Sequence, residues 1–401
     1  MLSCFMVKNC LKIENWKQEI TAKPEYDAVI VGAGPAGAVS AAILAARSWR
    51  VLLIDRAIFP REKTCGGCVN ARAIQTLREL GLQSALNSAA TIIKYDLRVR
   101  EHRLSSPIPA GVAISRSELD SALVTEAQKR GCDFLPGTSA VLCPTDPGKP
   151  FRQLILRNNS GSQTIAARIV LACDGIAGTL LDSEPRAAWK TTKNPWLGIS
   201  TLLEPGNAIL AAGTIQMNVA EGGYVGLVKL SDGRIHMGAA LDPRACRKAG
   251  TATALIRKIL SDCLGPRIAG LEKAKFFGVG RYTRRRTYPG AHRVLAVGDA
   301  IGYVEPFTGE GIAWAVCSAR EATALLPDPD ADWPECLVQS WAKRHHIIIG
   351  RGQWLCRALR YMVRHPNLAS AAVAFASAFP TIPVNIAFRI GQPDSPLHAP
   401  V

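Results

Sequence analysis

Residues 26–47 read YDAVIVGAGPAGAVSAAILAAR, and residues 48–56 continue SWRVLLIDR. An apolar run ends in glycines, an alanine-rich stretch follows, and a second apolar run closes on Asp55. That order predicts strand, tight turn, helix and buried strand, a βαβ unit. Gly32, Gly34 and Gly37 stand in G-x-G-x-x-G spacing. The first glycine permits the turn, the second lets backbone approach a pyrophosphate, and the third lets helix and strand pack closely. Pro35 and Ala36 open the helix, whose N-terminus offers free N–H groups and partial positive charge to phosphates. Asp55 lies 23 residues after Gly32, placed to accept hydrogen bonds from a ribose, with Arg56 beside it. The pattern predicts a dinucleotide site without separating NAD from FAD.

Soon afterwards residues 63–74 read KTCGGCVNARAI. A zinc site needs two more ligands at similar spacing, and no second C-x-x-C or His pair occurs, so no metal is expected. A redox pair opens a helix in a thioredoxin-like unit. The context here differs, although a working disulfide stays an alternative. The remaining reading is that Gly66 and Gly67 let backbone pass close to a flat ligand, before a helix over VNARAIQTLRELGL.

The segment FPREKTCGGCVNARAIQTLRELGL (59–82) resembles the matching stretch of FAD-dependent aromatic hydroxylases and, more closely, of geranylgeranyl reductases. Those reductases carry K-x-C-G-G-G there. The resemblance implies that Cys65, Gly66 and Gly67 line the flavin ring, with Cys68 replacing the third glycine. In residues 114–141 it implies that Arg116 meets the FAD and that the strand end near Val141 lies by the adenine. Residues 168–181, RIVLACDGIAGTLL, end a strand at Asp174–Gly175 and are similar to the second fingerprint of flavin hydroxylases. A serine and an arginine usually follow; Gly178 and Leu181 stand here instead. Residues 293–326 end a strand at Gly298–Asp299, pass Pro306 and enter a helix at Thr308–Gly311. By resemblance, Asp299 holds the ribityl chain. Gly309, Gly311 and Ile312 at the helix start then face the flavin edge where negative charge collects on reduction. Only one G-x-G-x-x-G occurs, which argues against a second, dedicated NAD domain.

Between residues 195 and 290 short alternating runs predict an antiparallel sheet, with Ser231–Gly233 as a hairpin turn. In the resembled family this sheet roofs the substrate pocket. The reductases carry Y-x-W-x-F-P there and flavin-dependent halogenases W-x-W-x-I-P. This chain has YVGLVKL (224–230), which keeps only Tyr224, a substrate-contact candidate or a core tyrosine. His236 reads as structural. Residues 331–401 predict basic helices, with Arg357, Arg360 and Arg364 near helical spacing. The apolar stretch 368–388 is interrupted by Pro380 and Pro383, which leaves packing, interfacial contact and spanning all open.

The 401 residues are enough for one large or two modest domains, and the net charge of +16 favours anionic partners such as a membrane surface or a phosphorylated cofactor. No nucleic-acid motif accompanies the charge. Twelve cysteines, many in apolar runs, suit a reducing compartment. Residues 1–24 read as a loose extension without a signal-peptide pattern, so a cytoplasmic, possibly membrane-associated protein is expected. The expected fold is α/β. A Rossmann-like FAD-binding domain spans 25–190 and 285–330, an antiparallel-sheet substrate domain spans 191–284, and a helical region spans 331–401. The expected activity is an FAD-dependent monooxygenase that uses NAD(P)H as transient reductant and O2 to hydroxylate a hydrophobic small molecule. The alternatives are a geranylgeranyl-reductase-like enzyme that saturates isoprenoid double bonds, and a non-catalytic or electron-transfer flavoprotein. No acid–base residue is assigned.

Overall fold

The computed structural model describes residues 25–192, 195–280, 283–303 and 309–378. The expectations for residues 1–24, for Pro306 and for the tail beyond residue 378 lie outside these. β1 (Tyr26–Val31), α1 (Pro35–Ala46) and β2 (Val51–Asp55) form the opening unit, and β2 runs parallel to β1 with Val29 opposite Leu52. Every residue of β2 is buried, as expected for a strand covered on both faces. α1 is buried from Pro35 to Ala45. Its alanines and glycine are small enough to let it lie between other helices and the sheet at close range.

Next come β3 (Cys68–Val69), α2 (Ala71–Glu79), the hairpin β4 (Ala90–Val99) and β5 (His102–Ala113), and α3 (Arg116–Lys129). α3 starts with a capping box between Ser115 and Glu118, which satisfies two orphan N–H groups at once. β6 (Asp133–Pro136), β7 (Ser139–Leu142), β8 (Arg152–Asn158) and β9 (Gly161–Ala172) return the chain to β1, which β9 flanks in parallel.

Then come β10 (Trp189–Thr191), β11 (Leu197–Leu203), β12 (Thr214–Ala220), β13 (Gly223–Lys229), β14 (Ile235–Leu241), α4 (Pro243–Lys248), α5 (Ala252–Asp262) and β15 (Phe277–Val279). β16 (Arg284–Arg286), β17 (Gly290–Ala291), β18 (Val294–Ala296) and β19 (Gly302–Tyr303) precede α6 (Gly311–Ala324), α7 (Leu337–Val363) and α8 (Pro366–Ala378).

The first sheet runs β17-β18-β9-β1-β2-β6, with β8 and β7 attached through β9. The second runs β15-β11-β14-β13-β12-β4-β5-β3, and β10-β16-β19 form a small third sheet. Two features differ from the expected layout. The segment 68–113, placed with the nucleotide half by the sequence, supplies β3, β4 and β5 to the second sheet. That sheet is antiparallel except where β4 runs parallel to β12, with Met217 opposite Leu97. A pairing between strands so distant in the chain leaves no local pattern to read. α7 is tied back to the first sheet by fully buried Trp341, whose Nε1 donates to the Ala296 carbonyl at 2.8 Å.

Candidate active site

One cavity lies where the C-terminal ends of β1 and β9 and the turn after β18 meet the face of the second sheet. The glycines of the first turn have different tasks there. Gly32 has φ +104°, and a Cβ on it would lie 2.3 Å from the Cys173 carbonyl oxygen. A Cβ on Gly37 would lie 1.8 Å from the Gly32 carbonyl oxygen, so both glycines serve the chain's own packing. Gly34 is different. A Cβ there meets nothing nearer than Arg116 Nη2 at 3.4 Å and Arg61 Nη2 at 4.0 Å. The helix start at Gly34 has no side-chain cap and no acid in its first turn, and Gly34, Pro35 and Ala36 all line the cavity. Uncapped N–H groups facing two guanidinium groups make a cradle for a pyrophosphate.

Behind the cradle runs a chain of charges. The Asp55 carboxylate accepts from the backbone N–H of Ala33 at 2.8 Å and of Ala57 at 2.9 Å, and pairs with Arg61 at 3.2 Å. Arg61 also pairs with fully buried Asp120 at 2.9 Å, which takes two bonds from Arg116 at 2.9 and 2.7 Å. Arg116 is thereby aimed, not merely buried. Arg56 is exposed and stands apart from this network, and Val141 on β7 is 44% exposed.

At the other end, Asp299 lines the cavity. Burial raises its pKa, while Lys63 and Arg116 oppose that shift. Lys63, which the sequence reading left out, also lines the cavity, and a Cβ on Gly175 would sit 2.8 Å from its Nζ. Burial lowers the Lys63 pKa, and Arg116 and Arg61 push the same way. Asp174 turns instead to its own loop, where Oδ2 accepts from Leu180 N–H at 2.9 Å. A Cβ on residue 178 would collide with Asp174 Oδ1 at 2.2 Å, which explains why glycine stands there. Gly298, at φ +64°, donates its N–H to Ser318 Oγ at 3.0 Å. Gly309, Gly311 and Ile312 line the cavity at the start of α6, again without a side-chain cap. Asn70, also missed in the sequence, caps α2 by accepting from Ala73 N–H at 3.0 Å. Its Nδ2 donates to Glu310 Oε1 at 2.7 Å, which ties the cysteine loop to this helix start.

The cysteine loop lies across β14. A Cβ on Gly238 would approach the Cys65 carbonyl oxygen to 3.1 Å, and Cys65 N–H reaches Ser200 Oγ at 3.4 Å. The two glycines between the cysteines differ. Gly66 has no atom within 4 Å of a Cβ position and lines the cavity. Gly67 has φ +71°, and a Cβ on it would press into the His236 ring at 2.7 Å. Both thiols are free. Cys68 Sγ donates to the Gly66 carbonyl at 3.4 Å, and burial, helped by Cys65, pushes its pKa up to about 12.

Two stability predictions follow from this corner. Gly67→Ala should cost about 1–3 kcal/mol, from the left-handed backbone and the blocked His236 ring, read as a lowered melting temperature with or without FAD. His236 is buried, and desolvation, followed by Arg116 and Arg234, pushes its pKa down to about 4. A depressed histidine pKa means that the unfolded chain binds the proton first. Stability is then complete above pH ~6.5 and falls by on the order of 3 kcal/mol as pH drops towards ~4. His236→Phe should flatten that limb in acid denaturation; an unchanged limb would contradict the assignment.

The roof of the cavity comes from Tyr95 on β4, Ile199 on β11, Ile215 and Met217 on β12, residues 224 and 226–228 on β13, and Gly238 and Ala239 on β14. Among these described residues none is Asp, Glu, Lys, Arg or His. Tyr95 has its pKa raised by burial and by Cys68. Tyr224 lies with its ring centroid 6.3 Å from that of Trp196.

A parallel sheet with a pyrophosphate cradle at one end, a buried aspartate and a free helix start at the other, and an apolar roof between them define a flavin-binding oxidoreductase fold. The family model described as "FAD binding domain" matches residues 25–326, and the chain belongs to that family. The menaquinone reductase of Mycobacterium tuberculosis is 28% identical over 400 residues, covering 91% of this chain and 90% of that protein. The geranylgeranyl diphosphate reductase of Rhodobacter capsulatus is 28% identical, covering 74% of each chain. The solved structure of the myxobacterial chondrochloren halogenase CndH, an FAD-dependent halogenase, superposes with a TM-score of 0.71 at 18% identity, covering 83% of this chain and 82% of that one. That last likeness concerns the fold. The residues present fit FAD. The Gly34 gap needs a ligand to explain it, and the two uncapped helix starts face the cavity from opposite ends.

Proposed function

We propose that the protein is an FAD-dependent reductase that saturates a carbon–carbon double bond in a hydrophobic, isoprenoid-type substrate. The observation that carries this reading is the roof. It offers apolar wall and two tyrosines over the flavin-binding elements, and no charged base. The relatives that span nearly the whole chain are named as menaquinone reductases, which supports the same choice. The sequence alone favoured hydroxylation; the roof shifts the balance, because an electron-rich ring is usually activated by a base.

FAD, when bound, supplies two-electron hydride chemistry, and NAD(P)H is the transient donor in this reading. The chain does the rest. Arg61, Arg116 and the start of α1 hold the pyrophosphate, and Asp299 and the start of α6 hold the ribityl and ring end. The roof holds the isoprenoid chain and excludes water. The proton for the second carbon is held at Cys68 Sγ, a weak acid kept protonated by burial. Cys68→Ala should keep FAD and lose about tenfold in turnover, below the usual range for a general acid, because a thiol with a pKa of about 12 is a weak proton donor near pH ~7. A thiol with a pKa of about 12 also predicts turnover without an alkaline decline between pH ~7 and ~9. A variant at wild-type rate would remove Cys68 from the mechanism.

Hydroxylation is the second reading, favoured by Tyr95 and Tyr224, whose hydroxyls could orient a phenolic ring. Product analysis after turnover of a menaquinone and of a long-chain phenol, each with and without O2, separates the two. Two added hydrogens without O2 support reduction. One added oxygen, only with O2, supports hydroxylation.

A further inference from the structure

We propose that the outer face of the small third sheet binds the 2′-phosphate of a reduced nicotinamide donor, with Lys190 and Arg285 as its cations. The proposal rests on the reading that NAD(P)H reduces the flavin, and it selects NADPH over NADH. Lys190 on β10 stands directly opposite Arg285 on β16. Side chains so placed in an antiparallel pair have Cβ atoms roughly 5 Å apart, and like charges there are destabilising. Both residues are exposed, and among the described residues neither makes a hydrogen bond or an ion pair. The acids nearest to Lys190 in sequence are engaged elsewhere: Asp182 pairs with Arg286 and Glu184 with Arg152. No other Asp or Glu occurs between Glu184 and Glu204, or between Glu272 and Asp299.

The register that opposes the two cations is locked. Thr287 N–H donates to the Ala188 carbonyl at 2.9 Å at one end of the pair, and Thr192 N–H to the Thr283 carbonyl at 3.2 Å at the other. On the inner face the Trp189 ring centroid lies 3.7 Å from the Arg284 guanidinium and 4.1 Å from that of Arg286. Side chains alternate along a strand, so these contacts turn Arg285 outwards. Gly302 on β19 lies opposite Arg285, and a Cβ on it would come 2.9 Å from Arg285 Cβ, so glycine leaves the arginine stem its room. A fold that holds two unpaired cations face to face, against its own stability, has a use for an anion between them. A phosphomonoester brings close to two negative charges near neutral pH and accepts hydrogen bonds from both side chains. The donor is the occupant because the same sheet reaches the cavity, which Tyr303 lines from its place opposite Arg284. Arg61 and Arg116 are held by Asp55 and Asp120 and belong to the FAD cradle. FAD also takes the one G-x-G-x-x-G turn, so a second nucleotide needs phosphate contacts outside that unit.

The test uses the full chain loaded with FAD, so that the first phosphate site is filled, and calorimetric binding of 2′-phospho-ADP-ribose and of ADP-ribose. Neither probe carries a nicotinamide, so binding is read without turnover. The 2′-phosphate should tighten binding about tenfold, as two exposed ion pairs allow, and the gain should shrink with salt. Lys190→Ala with Arg285→Ala should bring the two probes to equal affinity and raise the KM for NADPH towards that for NADH. Lys190→Glu gives Arg285 a partner, so it should abolish the gain and raise the melting temperature of the protein without probe. Equal binding of the two probes by the wild type, or a gain kept by the alanine pair, overturns the site. A flavin that neither NADPH nor NADH reduces overturns the underlying donor reading, even where the gain is intact. Farnesyl diphosphate that binds more tightly than 2′-phospho-ADP-ribose, and is weakened by the alanine pair, would put a substrate head group in the site and overturn the assignment to the donor.

Discussion

Gly34→Val should yield a folded protein that purifies without FAD. The space at Gly34 is open as far as the chain is concerned, with only the far ends of two arginines at 3.4 and 4.0 Å. A valine there costs the fold little, yet it fills the place where phosphate oxygens approach the backbone of the α1 start. The expected loss of FAD affinity is at least about 100-fold, or about 3 kcal/mol. Added FAD should therefore raise the melting temperature of the wild type and leave that of the variant unchanged, because a ligand stabilises only the state it binds. Unaltered circular dichroism would confirm that the fold survives. A fully yellow variant would move the phosphate site elsewhere.

The second large effect is expected at Gly66. A Cβ there meets no protein atom within 4 Å, and Gly66 lines the cavity. Gly66→Val should leave the apo protein's melting temperature near wild type. It should either empty the flavin site or shift the visible spectrum, with turnover down at least about 100-fold, since small misplacements at a reacting centre are that costly. Gly67→Ala should show the opposite pattern, with lower stability and a smaller effect on the spectrum of the folded fraction. If both variants merely unfold, the loop is structural throughout and the flavin ring lies elsewhere.

That contrast also shows what the sequence reveals. Gly32 and Gly37 are legible because their tasks are set within one strand–turn–helix–strand unit, whereas Asp55, expected at a ribose, has its carboxylate engaged by Ala33, Ala57 and Arg61. The roles of Gly66 and Gly67 are not legible, because they differ only through His236, which arrives from β14. Arg116 is legible as the head of a helix, but its aim depends on Asp120 and Arg61, and the Arg61 contact links segments far apart in the chain. Lys63 and Asn70 sit in plain view beside the C-G-G-C run, yet only the fold brings them to Gly175 and Glu310. In sequence, Gly178 is only a departure from the usual serine. In the structure it makes room for the Asp174 carboxylate. The pairing of the hairpin β4–β5 is not legible for the same reason, since its partner β12 is distant in the chain.

In the proposed reaction flavin and an apolar substrate meet in one cavity, and electrons pass between them directly. Anaerobic single turnover in deuterated water tests it most directly. The FAD-loaded protein is reduced by NAD(P)H, freed of excess donor and mixed with a menaquinone that carries an unsaturated isoprenoid tail. The flavin should reoxidise without O2, with one saturated product formed per flavin. The expected product carries solvent-derived deuterium at both former alkene carbons, because the hydrogen held by reduced flavin exchanges with water while excess donor is removed. A flavin that stays reduced until O2 is admitted, with oxygen then found in the product, would contradict it.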